Sequence, residues 1–175
     1  MNTLSMPRNM RCLGTALSLL CVTVAHAETS TGHLDISATI HTSCSVSASA
    51  MAFGVVVPGT DRDTEAVVSV LCTSGTAYTL DVGDGLYQIS TGGSTDNLYR
   101  RQMGSAAERL PYVLYQEAGR ITEIAASVTN NNFVTTTLGN GSTQSYTLYG
   151  RVVGTESSTT PPGSYSDTVI ITVEF

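Results

Sequence analysis

Residues 33–41 read HLDISATIH, and the alternation in that stretch decides the fold class. Leu34, Ile36, Ala38 and Ile40 fall on one side of an extended chain; His33, Asp35, Ser37, Thr39 and His41 fall on the other. A period of two marks a half-buried β-strand, because successive side chains of a strand point to opposite faces. Alternation leaves the strand's owner open. It reads equally as the first strand of its own domain and as a strand free to pair elsewhere.

On the N-terminal side, residues 1–27 carry the parts of an export signal. Arg8 and Arg11 give a positive start, residues 12–25 (CLGTALSLLCVTVA) an apolar stretch, and Ala25-His26-Ala27 a cleavage site before Glu28. Fourteen apolar-biased residues are too few for a membrane span, which needs about 20. Cys21 follows Leu20, where a lipoprotein signal has a small residue, so no lipid anchor is expected. The mature protein is predicted to begin near Glu28 and to work outside the cytoplasm.

Removing the signal leaves 148 residues, the size of one domain. The chain has no Lys; its six mature Arg (62, 100, 101, 109, 120, 151) face fourteen acidic residues, a formal charge of −8. Nucleic acid requires a basic footprint, so that balance argues against it, and against an anionic lipid surface. Solubility accounts for the charge. Cys12 and Cys21 leave with the signal, so the mature chain keeps Cys44 and Cys72. An even pair in an exported chain predicts one disulfide, worth about 3–4 kcal/mol in the chain-entropy model. A metal site is a poor alternative, since His33 and His41 lie too close to the N-terminus to complete a ligand set.

Toward the C-terminus, strand patterns separated by turn residues dominate, and helical periodicity is nearly absent. A strand holds Cys44 and Val46, and 66–72 (AVVSVLC) is apolar enough for an interior strand. Tyr78 to Val82 alternates, 83–97 is a long polar loop, and 110–115 (LPYVLY) is a strand whose Pro111 marks an edge or a start. Further strands are expected at 128–137, 146–152 and 169–175. Short strands of this kind within one domain predict a two-sheet antiparallel sandwich. With no Trp and three Phe, its core falls to Val, Ile, Leu and Tyr, without a cofactor.

Catalytic chemistry finds no constellation. Both mature His lie within 33–41, and no nucleophile elbow or phosphate loop occurs. Asp81-Val-Gly-Asp84-Gly85 and Asp61-Arg-Asp63 lack a calcium loop's ligand count and read as solvated turns. Arg100-Arg101 could bind an anion but reads better as an ion pair or structural contact, and Asn140-Gly141-Ser142 is formally a glycosylation sequon that tight-turn chemistry explains as well. No enzyme activity, metal or cofactor is expected.

Several residues in order carry a family resemblance: Cys44-Ser-Val46, Phe53-Gly54, Val70-Leu-Cys72-Thr73 with Tyr78, Arg101-Gln-Met103, Leu110-Pro-Tyr112 with Leu114-Tyr115, Tyr149-Gly150-Arg151, and Pro162-Gly-Ser-Tyr165-Ser-Asp167-Thr-Val169 running to Phe175. The series resembles the spore coat protein U domain family, which includes subunits of archaic, Csu-type chaperone–usher pili. The resemblance implies an immunoglobulin-like sandwich that lacks its last strand and is completed by donor-strand complementation. It divides the chain into signal 1–27, donor extension 28–41 and sandwich domain 42–175.

Leu34, Ile36, Ala38 and Ile40 would then fill a neighbour's groove, their place before Cys44 at the mature N-terminus favouring this over an own first strand. Val169, Ile171, Val173 and Phe175 form either an ordinary core strand or the edge gripped by a chaperone. The implied partners are a periplasmic chaperone, an outer-membrane usher and further subunits, in a surface fibre serving adhesion and biofilm formation. A tip adhesin would need a further domain, so a stalk or adaptor subunit is expected. The alternative is a self-contained coat or carbohydrate-binding module that keeps residues 33–41 in its own sheet.

Overall fold

β1 (Cys44–Ala48) and β2 (Arg62–Cys72) pair antiparallel, Cys44 opposite Cys72 and Val46 opposite Val70. The apolar alternation at the end of β2 sets its inward face: Ala66, Val68, Val70 and Cys72 are buried. The Cys44–Cys72 disulfide joins the two strands at one end. Ser43 extends the pairing one step further, giving and receiving backbone bonds with Thr73 and its hydroxyl. The computed structural model describes residues 27–90, 98–127 and 132–175. The export signal, apart from Ala27, part of the loop at 83–97 and the start of the strand expected at 128–137 lie outside the described residues.

The chain continues through β3 (Ala77–Val82), β4 (Ile89–Ser90), β5 (Leu98–Arg100), β6 (Gln102–Ser105), β7 (Glu108–Pro111), β8 (Val113–Tyr115), β9 (Ala126–Ser127), β10 (Asn132–Leu138), β11 (Thr143–Val152), a four-residue helix α1 (Gly154–Ser157) and β12 (Ile171–Glu174). One sheet has the order β1-β2-β11-β8 and a second β10-β3-β12; β4-β5-β9 form a small third sheet and β6-β7 a hairpin. All these pairings are antiparallel. The fold is thus all-β.

The core lies between the two main sheets. Val68 and Val70 of β2 meet Tyr78, Leu80 and Val82 of β3, with Leu148 and Val152 of β11 beside them. Each large aliphatic side chain buried there contributes about 1.5–3 kcal/mol. Tyr78 keeps its hydroxyl satisfied by a 2.6 Å bond to Tyr146; burial first, and that bond second, push its phenol up.

Two expectations are refined. The strand read at 110–115 divides: Pro111 ends β7, and Val113 begins β8 in a different sheet, since proline donates no ladder bond. The terminal strand is limited to Ile171–Glu174, with Val169 before it and Phe175 after.

The chain separates into residues up to Ala38 and a body, Thr39–Phe175. Of the first unit, residues 27–38 are described: they belong to no strand or helix and are exposed throughout. Leu34 and Ile36 are 82% and 86% exposed.

Candidate strand-accepting groove

β1 ends one main sheet and β12 ends the other, and the two approach each other. Beside them the sandwich is open, as a groove of about 1170 Å³. One wall is the run 48–56 that leaves β1; the other is the run 160–169 that enters β12. Small residues on the first wall (Ala48, Ser49, Ala50, Ala52) leave width, while Met51 and Phe53 reach the floor. Gly150 beneath them gives these side chains room: a Cβ there would come within 2.5 Å of the Met51 sulfur and 3.0 Å of the Phe53 ring. The rest of the floor is Leu110, Tyr112, Leu114 and Leu148, all buried core residues.

A polar arrangement secures the second wall. The Tyr165 hydroxyl donates to the Pro161 carbonyl at 2.7 Å, folding the Pro-Pro-Gly turn onto its own ring. Asp167 accepts from the Tyr112 hydroxyl at 2.6 Å and from the Leu86 amide at 2.8 Å. Burial, then the bond to Asp167, hold the Tyr112 phenol well above its ordinary value, so it stays a proton donor. The resemblance drew attention to this stretch as a pattern. The particular duties of Tyr112 and Asp167 had no signal in spacing or periodicity.

Of the four residues expected on the chaperone-gripped edge, Val169 and Ile171 line the groove. Val169, Ile171 and Val173 all pack against the core, Val173 without lining the groove, and Phe175 is 61% exposed. Ile40, within the body, is 86% exposed and, like Ala38 and the residues before it, belongs to no strand. The opposite open side, between β8 and β10, holds a smaller cleft of about 600 Å³ with a more polar lining, including Gln116, Glu117, Thr135 and Ser145.

The remaining charged motifs serve structure. Asp63 pairs with Arg151 through two bonds of 2.7 and 2.8 Å, and Asp61 accepts the Gly154 amide. Arg100 pairs with Glu156. Arg101, 2% exposed, donates to the carbonyls of Val82, Gly83 and Ile124. Asn140 caps its own turn by accepting the Ser142 amide, with Gly141 at φ +76°.

Comparison with known proteins gives three findings. The Spore Coat Protein U domain matches residues 30–172. Protein U of Myxococcus xanthus is 30% identical over 173 residues, covering 91% of this chain and 93% of that protein. Among solved structures, the chain is similar to one in a CsuC–CsuE chaperone–tip adhesion subunit pre-assembly complex from the archaic chaperone–usher Csu pili of Acinetobacter baumannii, with a TM-score of 0.54 and 21% identity. That match covers 78% of this chain and 40% of the other, and the likeness is one of fold.

Proposed function

The chain belongs to the Spore Coat Protein U domain family, and from that premise we propose that it is a non-enzymatic, exported subunit of a chaperone–usher surface fibre, polymerising by donor-strand exchange. The observation that carries this is the apolar groove between the run 48–56 that leaves β1 and the run 160–169 that enters β12. An open apolar edge in a folded domain invites strand addition and is a hazard until it is filled. The filler has its own signature: an unpaired arm whose apolar side chains Leu34, Ile36 and Ile40, spaced by even steps, are exposed. Burying those three contributes roughly 5–9 kcal/mol, at ~1.5–3 kcal/mol each, before association costs.

In this reading residues 1–27 direct export, 28–41 are the donor and 42–175 the acceptor body. A periplasmic chaperone fills the groove first; an outer-membrane usher and the next subunit's Leu34, Ile36, Ala38 and Ile40 follow. Val169 and Ile171 are the part of the edge that receives the strand. The fibre serves attachment and biofilm formation. A second reading has its own support in the match to Protein U, which extends over nearly all of that protein: a self-contained coat module that keeps the arm.

Size-exclusion chromatography of the oxidised mature protein, with and without residues 28–41, separates the two. The fibre reading expects the intact chain to form assemblies that resist SDS without heating, and the truncated chain to form none. A monomer at every concentration, with 33–41 protected from protease, overturns it in favour of the coat module.

A further inference from the structure

The wall 161–168 has little backbone pairing of its own. Among the described residues its backbone–backbone bonds are the two exchanged between Ser166 and Gly104, 2.8 and 3.1 Å. A wall so lightly laddered is free to collapse into an empty groove or swing from it unless side chains hold it.

Asp167 does so. One oxygen of its carboxylate accepts the Tyr112 hydroxyl at 2.6 Å; the other accepts the amides of Leu86 and Thr168, both at 2.8 Å. One side chain thus ties the groove floor, the loop after β3 and the wall together. The loop is shaped to receive it. Gly85, at φ +82°, passes so close that a Cβ there would strike the carboxylate, which no other residue type accommodates. Gly104, the wall's backbone partner, is likewise pressed against the Tyr87 ring, 2.6 Å from where its Cβ would stand. Tyr112 is 5% exposed and lines the groove. Bonded to Asp167, its hydroxyl presents no unpaired donor to an entering aliphatic side chain, which would otherwise bury it at a cost.

We propose that Asp167, acting through Tyr112, is a positioning residue that keeps the groove preorganised for an incoming apolar strand. This deepens the strand-accepting reading and rests on it. Preorganisation lowers the ordering cost of binding, so losing it weakens strand uptake beyond any loss of fold stability.

The test uses the oxidised mature chain, residues 28–175, carrying Ile36→Asp so that its own arm fills a groove poorly. The probe is a fluorescein-labelled synthetic peptide of residues 30–42, with uptake followed by anisotropy and unfolding by circular dichroism. Asp167→Leu is expected to slow uptake by about tenfold or more, Tyr112→Phe by a smaller factor, and Asp167→Asn, which keeps an acceptor oxygen, to recover part of the loss. Val70→Ala, in the core and off the groove, is the control for stability alone. Compared at equal distance below their melting temperatures, Asp167→Leu slower than Val70→Ala supports the role; equal rates overturn it. If Asp167→Leu does not fold, Tyr112→Phe against Val70→Ala decides by the same criterion. A parent chain that takes up no peptide overturns the groove reading and the positioning role together. Uptake by the parent with unaffected variants overturns the positioning role alone.

Discussion

Arg101 is a buried charge held by carbonyls, with the Asp84, Glu123 and Asp81 carboxylates supporting its charged form. Its guanidinium fork spans Val82, Gly83 and Ile124 at 2.5–2.9 Å, and burial lowers its affinity for the proton without removing it. Replacing it by Met leaves three acceptors to desolvate, so Arg101→Met should cost about 3 kcal/mol or more, read as a shift of the urea midpoint. Lys should recover only part, lacking the planar fork. Two aspartates give opposite pH signs. The bidentate bond from Arg151 lowers Asp63 below 3.8, so its contribution is present above that value and lost as pH falls through the folded one. The Asp63 side chain is 39% exposed, which limits the effect to about 1 kcal/mol or less. Burial, aided by the Asp84 and Glu174 charges, raises Asp81. Stability tied to that group is present below its ordinary value and lost as pH rises through the raised one. Asp81→Asn should therefore stabilise the protein at pH 7 and leave it unchanged near pH 3, where Asp63→Asn should flatten the acid limb. Urea midpoints across that range check both signs.

Edges distinguish the two open sides of the sandwich. The pairing of β10 with β3 is broken by two register shifts, and such irregularities discourage further strands from adding. β1 and β12 pair in unbroken register and leave their outer edges regular, on the side of the groove. Regular β1 depends on the bond to Cys72, so Cys44→Ser should cost about 3–4 kcal/mol and lower the exported yield. Fully alkylatable cysteines in freshly secreted protein would contradict it. In the arm, only one face should matter. Ile36→Asp puts a charge into an apolar pocket and should abolish fibres seen by electron microscopy, with the subunit still folded on its chaperone. Ser37→Asp and Thr39→Asp, on the other face, should assemble. Strand patterning made β1, β3, most of β11 and the second half of β2 legible in the sequence, β3 by alternation and β2 by its apolar run. It missed the first half of β2, where Arg62 to Glu65 are polar and take their strand form from β11, Asp63 opposite Arg151. It missed the split at Pro111 because sheet membership is decided by distant partners.

The same non-local character hid the sheet order and the groove walls. The runs 48–56 and 160–169 are loops by local pattern, and only the body's topology sets them face to face. Asp167 looks like any surface charge in the sequence; its bonds come from Leu86 and Tyr112, far away in the chain. In the fibre reading, donor and acceptor lie on different parts of one chain, so association would be heterologous and open-ended, and the chain should behave as a unit with a head and a tail. That is separable. A mature chain with Ile36→Asp keeps a groove but offers no usable arm. One with Val169→Asp, which places a charge on the groove wall outside the β12 ladder, keeps an arm but no usable groove. Each alone should stay unassembled. Mixed in equal amounts they should form a species of two subunits and stop, because the pair presents one spoiled arm and one spoiled groove. Light scattering coupled to size exclusion reads the mass directly, beside an unmodified chain that continues to grow. Growth of Val169→Asp alone would show that the groove between the runs 48–56 and 160–169 is not the acceptor. Growth of the mixture beyond two would place the contact on another surface, with the regular edges of β1 and β12 then unused.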